Sequence, residues 1–519
     1  MGKSFVKSAG ILAFSVIIAK VLGAVYRVPL ANIVGANGMG LYQFVYPVFA
    51  LLLTLSSGAV PTAVSITVSE YVARGDENGA RRAFCASLKI CLIIGLLGTA
   101  ALVAAAYPIS LLQSKDAFYG YLCIAPAVLI VTAISAFRGW FNGHGNLVPG
   151  SISQITEGIV KLGVGLALAS YLMKYGVKFA VAGALLGVAA SELVTLVVMF
   201  ISYFACRGKF VAVKLKEEKD TVSRLKDLAA PLILCGMILP TSQFLDSVLI
   251  VNLLKLNGSA DPTALYGLWS GIVTPLVNLP VMVCLSLGVA VTPQMVEGRE
   301  KRDAEYVIAK ANTVIKLTFL MCVPFVFIYL FMGRGIISVL YPTLSPERLN
   351  LAALLLGISS VSVLSLSVFQ IYSAMLQGLK RAFVPVKIIG ICMAVKLVLS
   401  VILTPILGIV GSAIAAAVGY IGGGVWITIY FGLFTSFDSD FVKNAGLITL
   451  CGVIMSMLVL MSGKLQVSVV AVVCICILSA AVYFIAVMAL RVFSREELKS
   501  LPMSKLLLYI DLKLNGGNK

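Results

Sequence analysis

The stretch IIAKVLGAVYRVPLANIVG, residues 17–35, decides how the rest of the chain is read. It lies in an apolar run from about Ala9 to Val34, long enough to cross a bilayer, which takes about 20 apolar residues. Yet Lys20 falls near the middle of that run and Arg27 follows seven residues later. Seven residues make nearly two helical turns, so both cations share one face, with Gly23 and Ala24 between them. A charge at the bilayer centre costs about 2.5–3.5 kcal/mol on insertion scales, and such residues face a wet cavity or a partner. The opening helix is therefore expected to present two cations to something other than lipid.

Composition agrees with a membrane setting. The chain has 519 residues, of which 60% are hydrophobic and 12% charged, with a mean hydropathy of +1.03. That balance predicts an all-α polytopic membrane protein. The formal charge of +18 would suggest nucleic acid in a soluble chain. Here an excess of cytoplasmic Lys and Arg accounts for it, and no nucleic-acid partner is expected. The eleven cysteines sit almost entirely in apolar runs without a CxxC pair and read as small buried residues, neither disulfides nor metal ligands. The first apolar run is too long for a signal-peptide core and is interrupted by charge, so it is read as a retained helix.

Hydropathy gives fourteen candidate spans, from 8–32 and 40–69 at the start to 443–462 and 466–490 at the end. With the N-terminus inside, twenty-nine of the forty Lys and Arg residues fall in inner segments, Arg138 among them, and seven in outer ones. That bias places both termini in the cytoplasm of a multi-pass cell-membrane protein. Residues 207–228, RGKFVAVKLKEEKDTVSRLKDL, read as a basic cytoplasmic linker against anionic headgroups. The last residues, 492–519, read either as an interfacial amphipathic segment or as a solvated tail.

An internal repeat organises the spans. Asn142–Leu162 (NGHGNLVPGSISQITEGIVKL) and Gln377–Leu397 (QGLKRAFVPVKIIGICMAVKL) each close one span on Gly and open the next through Val-Pro. From Gly143 to Lys161, and from Gly378 to Lys396, is eighteen positions. A weaker echo pairs GLYQFVYPVF, 40–49, with ALYGLWSGIV, 264–273. The expected plan is two pseudo-symmetric six-helix lobes, 1–206 and 229–434, joined by the linker, with two further helices over 435–491. Halves repeated in one orientation commonly hold a midplane binding site between them.

The ionisable residues inside spans are few: Lys20 and Arg27, Glu157 and Lys161, Glu192, Asp246 and Lys396. Lys161 and Lys396 occupy matching places in the repeat. Asp246 sits in span 7 about where Arg27 sits in span 1. Bland alternatives stand beside the functional ones. Glu157 and Lys161, four apart, suit a neutralising pair as well as a ligand site. Arg27 could snorkel to the surface, Asp246 could be a counter-ion, and Glu192 could be a packing residue. A cationic cavity suits a diphosphate, whose dense charge Arg and Lys match; exporters of lipophilic cations would want acidic walls.

Several chemistries find no support. The chain has no GxxxxGK[ST] loop for ATP hydrolysis. Its one histidine, His144, lies in a turn and supports neither a metal cluster nor a Ser-His-Asp set. No enzyme activity, cofactor or metal is expected.

Residues 19–76 carry a family likeness. The pattern K-x-L-G-x-x-Y-R-x-P-L from Lys20, then G-x-G-L-Y-Q, the Pro-Thr-Ala-Val-Ser segment and Ser-Glu-Tyr-Val-Ala-Arg-Gly-Asp resemble the start of SpoVB-type polysaccharide biosynthesis proteins. These belong to the MOP flippase superfamily, with MurJ-type lipid II flippases, Wzx-type flippases and MATE-like exporters. The resemblance implies a MOP/MATE-like fold and alternating access around a cationic cavity for a lipid-linked saccharide diphosphate, with lipid II first among the cargoes. Lys20 takes the place of the first Arg of the MurJ-type pattern, and the Arg-Asp that follows there is Tyr26-Arg27 here. In this reading Lys20, Arg27, Lys161 and Lys396 hold the diphosphate, while Asp246, Glu157 and Glu192 set gating or charge coupling. Expected partners are the lipid-linked saccharide, membrane lipids and the cell-wall synthesis machinery, and the expected state is a monomer. Export of another lipid-linked oligosaccharide, for polysaccharide or spore cortex, multidrug or cation antiport, and a scaffold role are the alternatives.

Overall fold

The computed structural model describes the backbone of residues 2–206, 215–435, 439–461, 469–490 and 492. Within these ranges side chains are described at Ser15 and beyond, apart from 16, 17, 20, 215–232, 234, 235, 289, 434, 435, 439–442 and 461. Of the expected linker, 207–214 lie outside the described residues, as does the expected tail beyond 492.

The described chain is helical throughout, without strands. Its helices are α1 (Gly2–Ser57), α2 (Val60–Ala73), α3 (Glu77–Leu112), α4 (Phe118–Gly143), α5 (Val148–Leu172), α6 (Val177–Ala205), α7 (Leu215–Leu256), α8 (Pro262–Tyr266), α9 (Thr274–Glu300), α10 (Ala304–Leu340), α11 (Pro346–Gly378), α12 (Phe383–Leu407), α13 (Ile409–Thr435), α14 (Ser439–Met461) and α15 (Val469–Ala489). A π-helical stretch, Gly267–Val273, joins α8 to α9. The protein is a multi-pass membrane protein: among the described residues, thirteen helical stretches are long and apolar enough to span a bilayer. The first, Val21–Ala73, has 53 residues. Straight, it would run about 80 Å, far beyond a hydrocarbon core of about 30 Å, so it supplies two crossings. The break between them is Gly35, at φ 68 and ψ −176, a conformation open to a residue without Cβ. Where a loop is expected between residues 32 and 40, the chain turns at this one residue. A second interruption before Val60 coincides with Pro61 in the first turn of α2, where proline's missing N–H costs nothing.

Side-chain caps fix several other starts. Asp76, Asp261, Asp303 and Ser345 accept from the backbone N–H groups of Gly79, Ala264, Tyr306 and Arg348, which satisfies donors the helix leaves open.

Contacts divide the chain into two compact units, one of Met1–Ile272 with Leu397–Gly411, the other of Val273–Lys396 with Ser412–Lys519. The contact boundary falls within the π-helical stretch after α8. In the first unit Phe84, Phe137, Trp140 and Tyr203 form an aromatic core joining α3, α4 and α6, with ring centroids of Phe84 4.9–5.3 Å from the other three. Small residues let α5 meet α6 closely: a Cβ on Gly187 would stand 2.3 Å from the Gly165 Cα. In the second unit α9, α10 and α11 pack together, α14 lies on α10, and α15 on α14. Exposed Leu96, Leu97, Ile201, Ile406 and Ile477 would be costly in water and suit contact with acyl chains. Tyr171 and Tyr175, both exposed, flank Lys174 with centroids 3.9 and 4.9 Å from its Nζ, as at a membrane–water interface.

The two repeat segments fold alike. A Cβ on Gly143 would meet the Val68 Cβ at 2.7 Å and the Ser65 oxygen at 3.0 Å. One on Gly378 would meet the Met295 Cβ at 2.9 Å and the Thr292 oxygen at 2.8 Å. Six residues before each glycine stands an aromatic ring on a partner from the second-next helix, Phe137 on Tyr203 at 5.7 Å and Tyr372 on Phe431 at 4.7 Å.

Candidate functional site

Within the first unit, α1 bends back at Gly35, and the bend brings Tyr46 against the span that precedes it. The Arg27 guanidinium carbon lies 5.8 Å from the Tyr46 ring centroid. Lys161 of α5 places its Nζ 5.7 Å from the same centroid and 5.7 Å from that of Tyr26. Two cations from different helices thus share one ring, in a geometry where the ring's negative face attracts both. Tyr46 is itself stacked on buried Tyr42, centroids 5.7 Å apart and planes within 15°. Tyr26 is buried and donates to the Ala184 oxygen at 3.4 Å. Arg27, Lys161 and Tyr46 are each half-buried.

Glu157 lies one helical turn before Lys161, but the ion pair it makes is with Arg138 of α4, at 3.5 Å. Arg138 also lies 3.5 Å from the Ser153 hydroxyl. Glu192 of α6, 8% exposed, lies beside Glu157. This part of the first unit therefore assembles three cations, Arg27, Arg138 and Lys161, with two carboxyl groups gathered on the Arg138 side. Phosphate oxygens match such a set: guanidinium and ammonium donors with an aromatic wall and an acid diverted to another partner.

The other expected residues stand elsewhere. The Lys20 side chain lies outside the described residues. Asp246 is buried on α7 at 4% exposure. Lys396, on α12 in the second unit, is 2% exposed, with its Nζ 5.9 Å from the Tyr420 centroid. Each repeat lysine thus has a tyrosine neighbour within its own unit, although Lys396 is far more enclosed than Lys161. From sequence, Tyr46 and Arg138 carry no expectation as site residues, and Tyr26 enters only through the family pattern, beside Arg27. Arg138 counts toward the cytoplasmic charge bias because it lies near a span end. Tyr46 becomes a neighbour only through the turn at Gly35.

Comparison with known proteins bears on this arrangement. The family described as polysaccharide biosynthesis protein matches residues 5–299, and the MatE family matches residues 231–402. Stage V sporulation protein B of Bacillus subtilis (strain 168) is 26% identical, over 96% of this chain and 98% of that one. Lipid II flippase MurJ of the same organism is also 26% identical, over 81% of each chain. A solved structure of lipid II flippase MurJ in an inward closed conformation superposes with a TM-score of 0.70 at 14% identity, covering 91% of this chain and 98% of that one. The expected recognition, all-helical fold and transporter rather than enzyme character agree with these matches. With residues 5–299, more than half of its length, matched by that family, the chain belongs to the polysaccharide biosynthesis protein family.

Proposed function

We propose that this protein moves an undecaprenyl-diphosphate-linked cell-wall saccharide, with lipid II as the first candidate, from the inner to the outer leaflet by alternating access. The observation that carries the reading is the convergence of Arg27 and Lys161 on Tyr46, while Glu157 pairs with Arg138. Lys20, Arg27, Lys161 and Lys396 hold the diphosphate. Asp246, Glu157 and Glu192 change partners as the state changes. The saccharide travels through the protein while the isoprenoid tail stays in the bilayer. An inside-negative potential favours outward movement of an anionic headgroup by about 2.3 kcal/mol per charge per 100 mV. In this reading the lobes are 1–206 and 229–434, helices over 435–491 are an addition, and linker, tail and both termini are cytoplasmic at the cell membrane. The protein works as a monomer beside the cell-wall synthesis machinery.

The test is accessibility of the lipid-linked precursor at the outer leaflet of cells depleted of this protein. Depletion is expected to hold the precursor inside. Complementation by Lys20→Ala, Arg27→Ala and Lys161→Ala variants is expected to fail, and full export by all three would remove the cationic site.

A second reading is supported by the near full-length similarity to stage V sporulation protein B. There the cargo is another lipid-linked oligosaccharide, and precursor accumulation is confined to sporulating cells. Antiport of drugs or cations predicts instead a changed resistance profile with no precursor phenotype.

A further inference from the structure

The echo segments 40–49 and 264–273 lie against each other. A Cβ on Gly40 would stand 2.1 Å from the Thr263 carbonyl oxygen, and one on Gly267 would stand 2.0 Å from the Ala36 oxygen and 2.4 Å from the Gly40 nitrogen. Only glycine allows these backbones so near. Beside them the Gln43 side-chain amide donates to the Ser270 carbonyl at 2.5 Å and to its hydroxyl at 3.2 Å, and Phe44 stacks on Tyr266 at 5.4 Å. Tyr46 follows Gln43 by three residues on the same helical segment, so the ring shared by Arg27 and Lys161 and the amide held by Ser270 move as one body about Gly35. The π-helical stretch at the other side of this contact leads directly into α9.

We propose that Tyr46 is a positioning residue for the anionic headgroup and couples its arrival to release of the Gly40–Gly267 contact. The proposal rests on the phosphate reading above. With no anion present, Arg27 and Lys161 are drawn to the ring and help hold the segment after Gly35 against α8. A diphosphate competes for both cations, because paired anionic oxygens bind guanidinium and ammonium groups more strongly than a ring face does. The ring then loses its two cations, and the segment is left to Gln43, the Phe44–Tyr266 stack and the backbone contact. Because headgroup capture and latch release are the same event, cargo would be required for the change of state.

The test uses the full chain in lipid nanodiscs, inorganic pyrophosphate as probe, and a cysteine-pair reporter. Phe44→Cys with Tyr266→Cys serves as the reporter, since the two rings they replace stack across the contact with centroids 5.4 Å apart and a short thiol-bridging reagent spans the space that both leave. The linked peptides are quantified by mass spectrometry, and pyrophosphate binding is measured in parallel by calorimetry. Pyrophosphate is expected to lower crosslinking several-fold in the reporter protein and in its Tyr46→Phe form. In the Tyr46→Leu form crosslinking no longer responds to pyrophosphate, while affinity changes by less than about tenfold, within the range of a lost cation–π contact. Gln43→Leu is expected to crosslink weakly even without pyrophosphate. Absence of pyrophosphate binding to the reporter protein would overturn the phosphate reading together with the coupling. Binding with unchanged crosslinking, or a Tyr46→Leu response equal to that of the parent, would overturn the coupling alone.

Discussion

Replacing Glu157 by Gln decides whether this carboxylate belongs to Arg138 or to Lys161, and so whether Lys161 is available to an anion. Arg138 and Glu157 approach to 3.5 Å, with side chains 24% and 30% exposed. At an effective dielectric of about 20, opposite charges at that distance attract by roughly 5 kcal/mol before hydration is subtracted. Fully exposed pairs retain about 0–1 kcal/mol, whereas breaking a buried pair costs about 3–5 kcal/mol. The intermediate exposure here points to a coupling of about 1–2 kcal/mol. A double-mutant cycle of Arg138→Gln and Glu157→Gln, read by unfolding in detergent, should return that coupling, with the double variant closer to the parent than two separate losses would predict. Pyrophosphate affinity should rise no more than a few-fold in Glu157→Gln, because the carboxylate it removes is already engaged with α4. Zero coupling with Arg138, together with an affinity gain of tenfold or more, would assign Glu157 to Lys161 and refute the arrangement.

Two further substitutions probe the frame. Gly143→Ala and Gly378→Ala should each destabilise by about 1–2 kcal/mol, an overpacking cost of about 1–3 kcal/mol offset by up to about 1 kcal/mol from alanine's helix preference; sensitivity at only one of the two sites, in the same unfolding assay, would break their equivalence. Gln113 is buried, donates to the Ser247 hydroxyl at 2.6 Å and accepts from Tyr121 at 2.7 Å. Both hydroxyls keep another acceptor, the oxygens of Phe244 and Phe44, so Gln113→Leu should cost only about 1–2 kcal/mol, the sum of two ordinary hydrogen bonds; unfolding indistinguishable from the parent would show that this link between α3, α4 and α7 contributes nothing.

The pattern of spans was legible because bilayer crossing is a property of local composition: a run of about 20 apolar residues is read without knowing its neighbours. The repeat was legible for a related reason. Gly143 and Gly378 carry no side chain because another backbone occupies that place, so the two sites keep the same residue even where their surroundings differ. Arg27 and Lys161 stood out because charge is rare in apolar helices. Their partners did not, since partners depend on how helices come together. Arg138 lies five residues before the end of α4, where an Arg ordinarily marks a membrane surface, and only the packing of α4 on α5 turns it toward Glu157.

Tyr46 shows the same limit most sharply. Counting 100° per residue along one helix gives no reason to set residue 46 beside residue 27, and treating 8–32 and 40–69 as spans joined by a loop leaves their mutual rotation open. The turn at Gly35 removes that freedom: with a single residue between the helical segments, the direction of the second follows from one pair of dihedral angles. The same turn carries Gly40 onto Thr263 and Gln43 onto Ser270. A glycine at position 35 thus does more than end a span. It sets which ring stands between the cations and which amide meets the π-helical stretch, and a side chain there would disturb both, since its backbone angles admit a Cβ only with strain. On the phosphate reading, function in this unit therefore depends on a residue that carries no chemistry of its own, through the two contacts whose geometry it fixes.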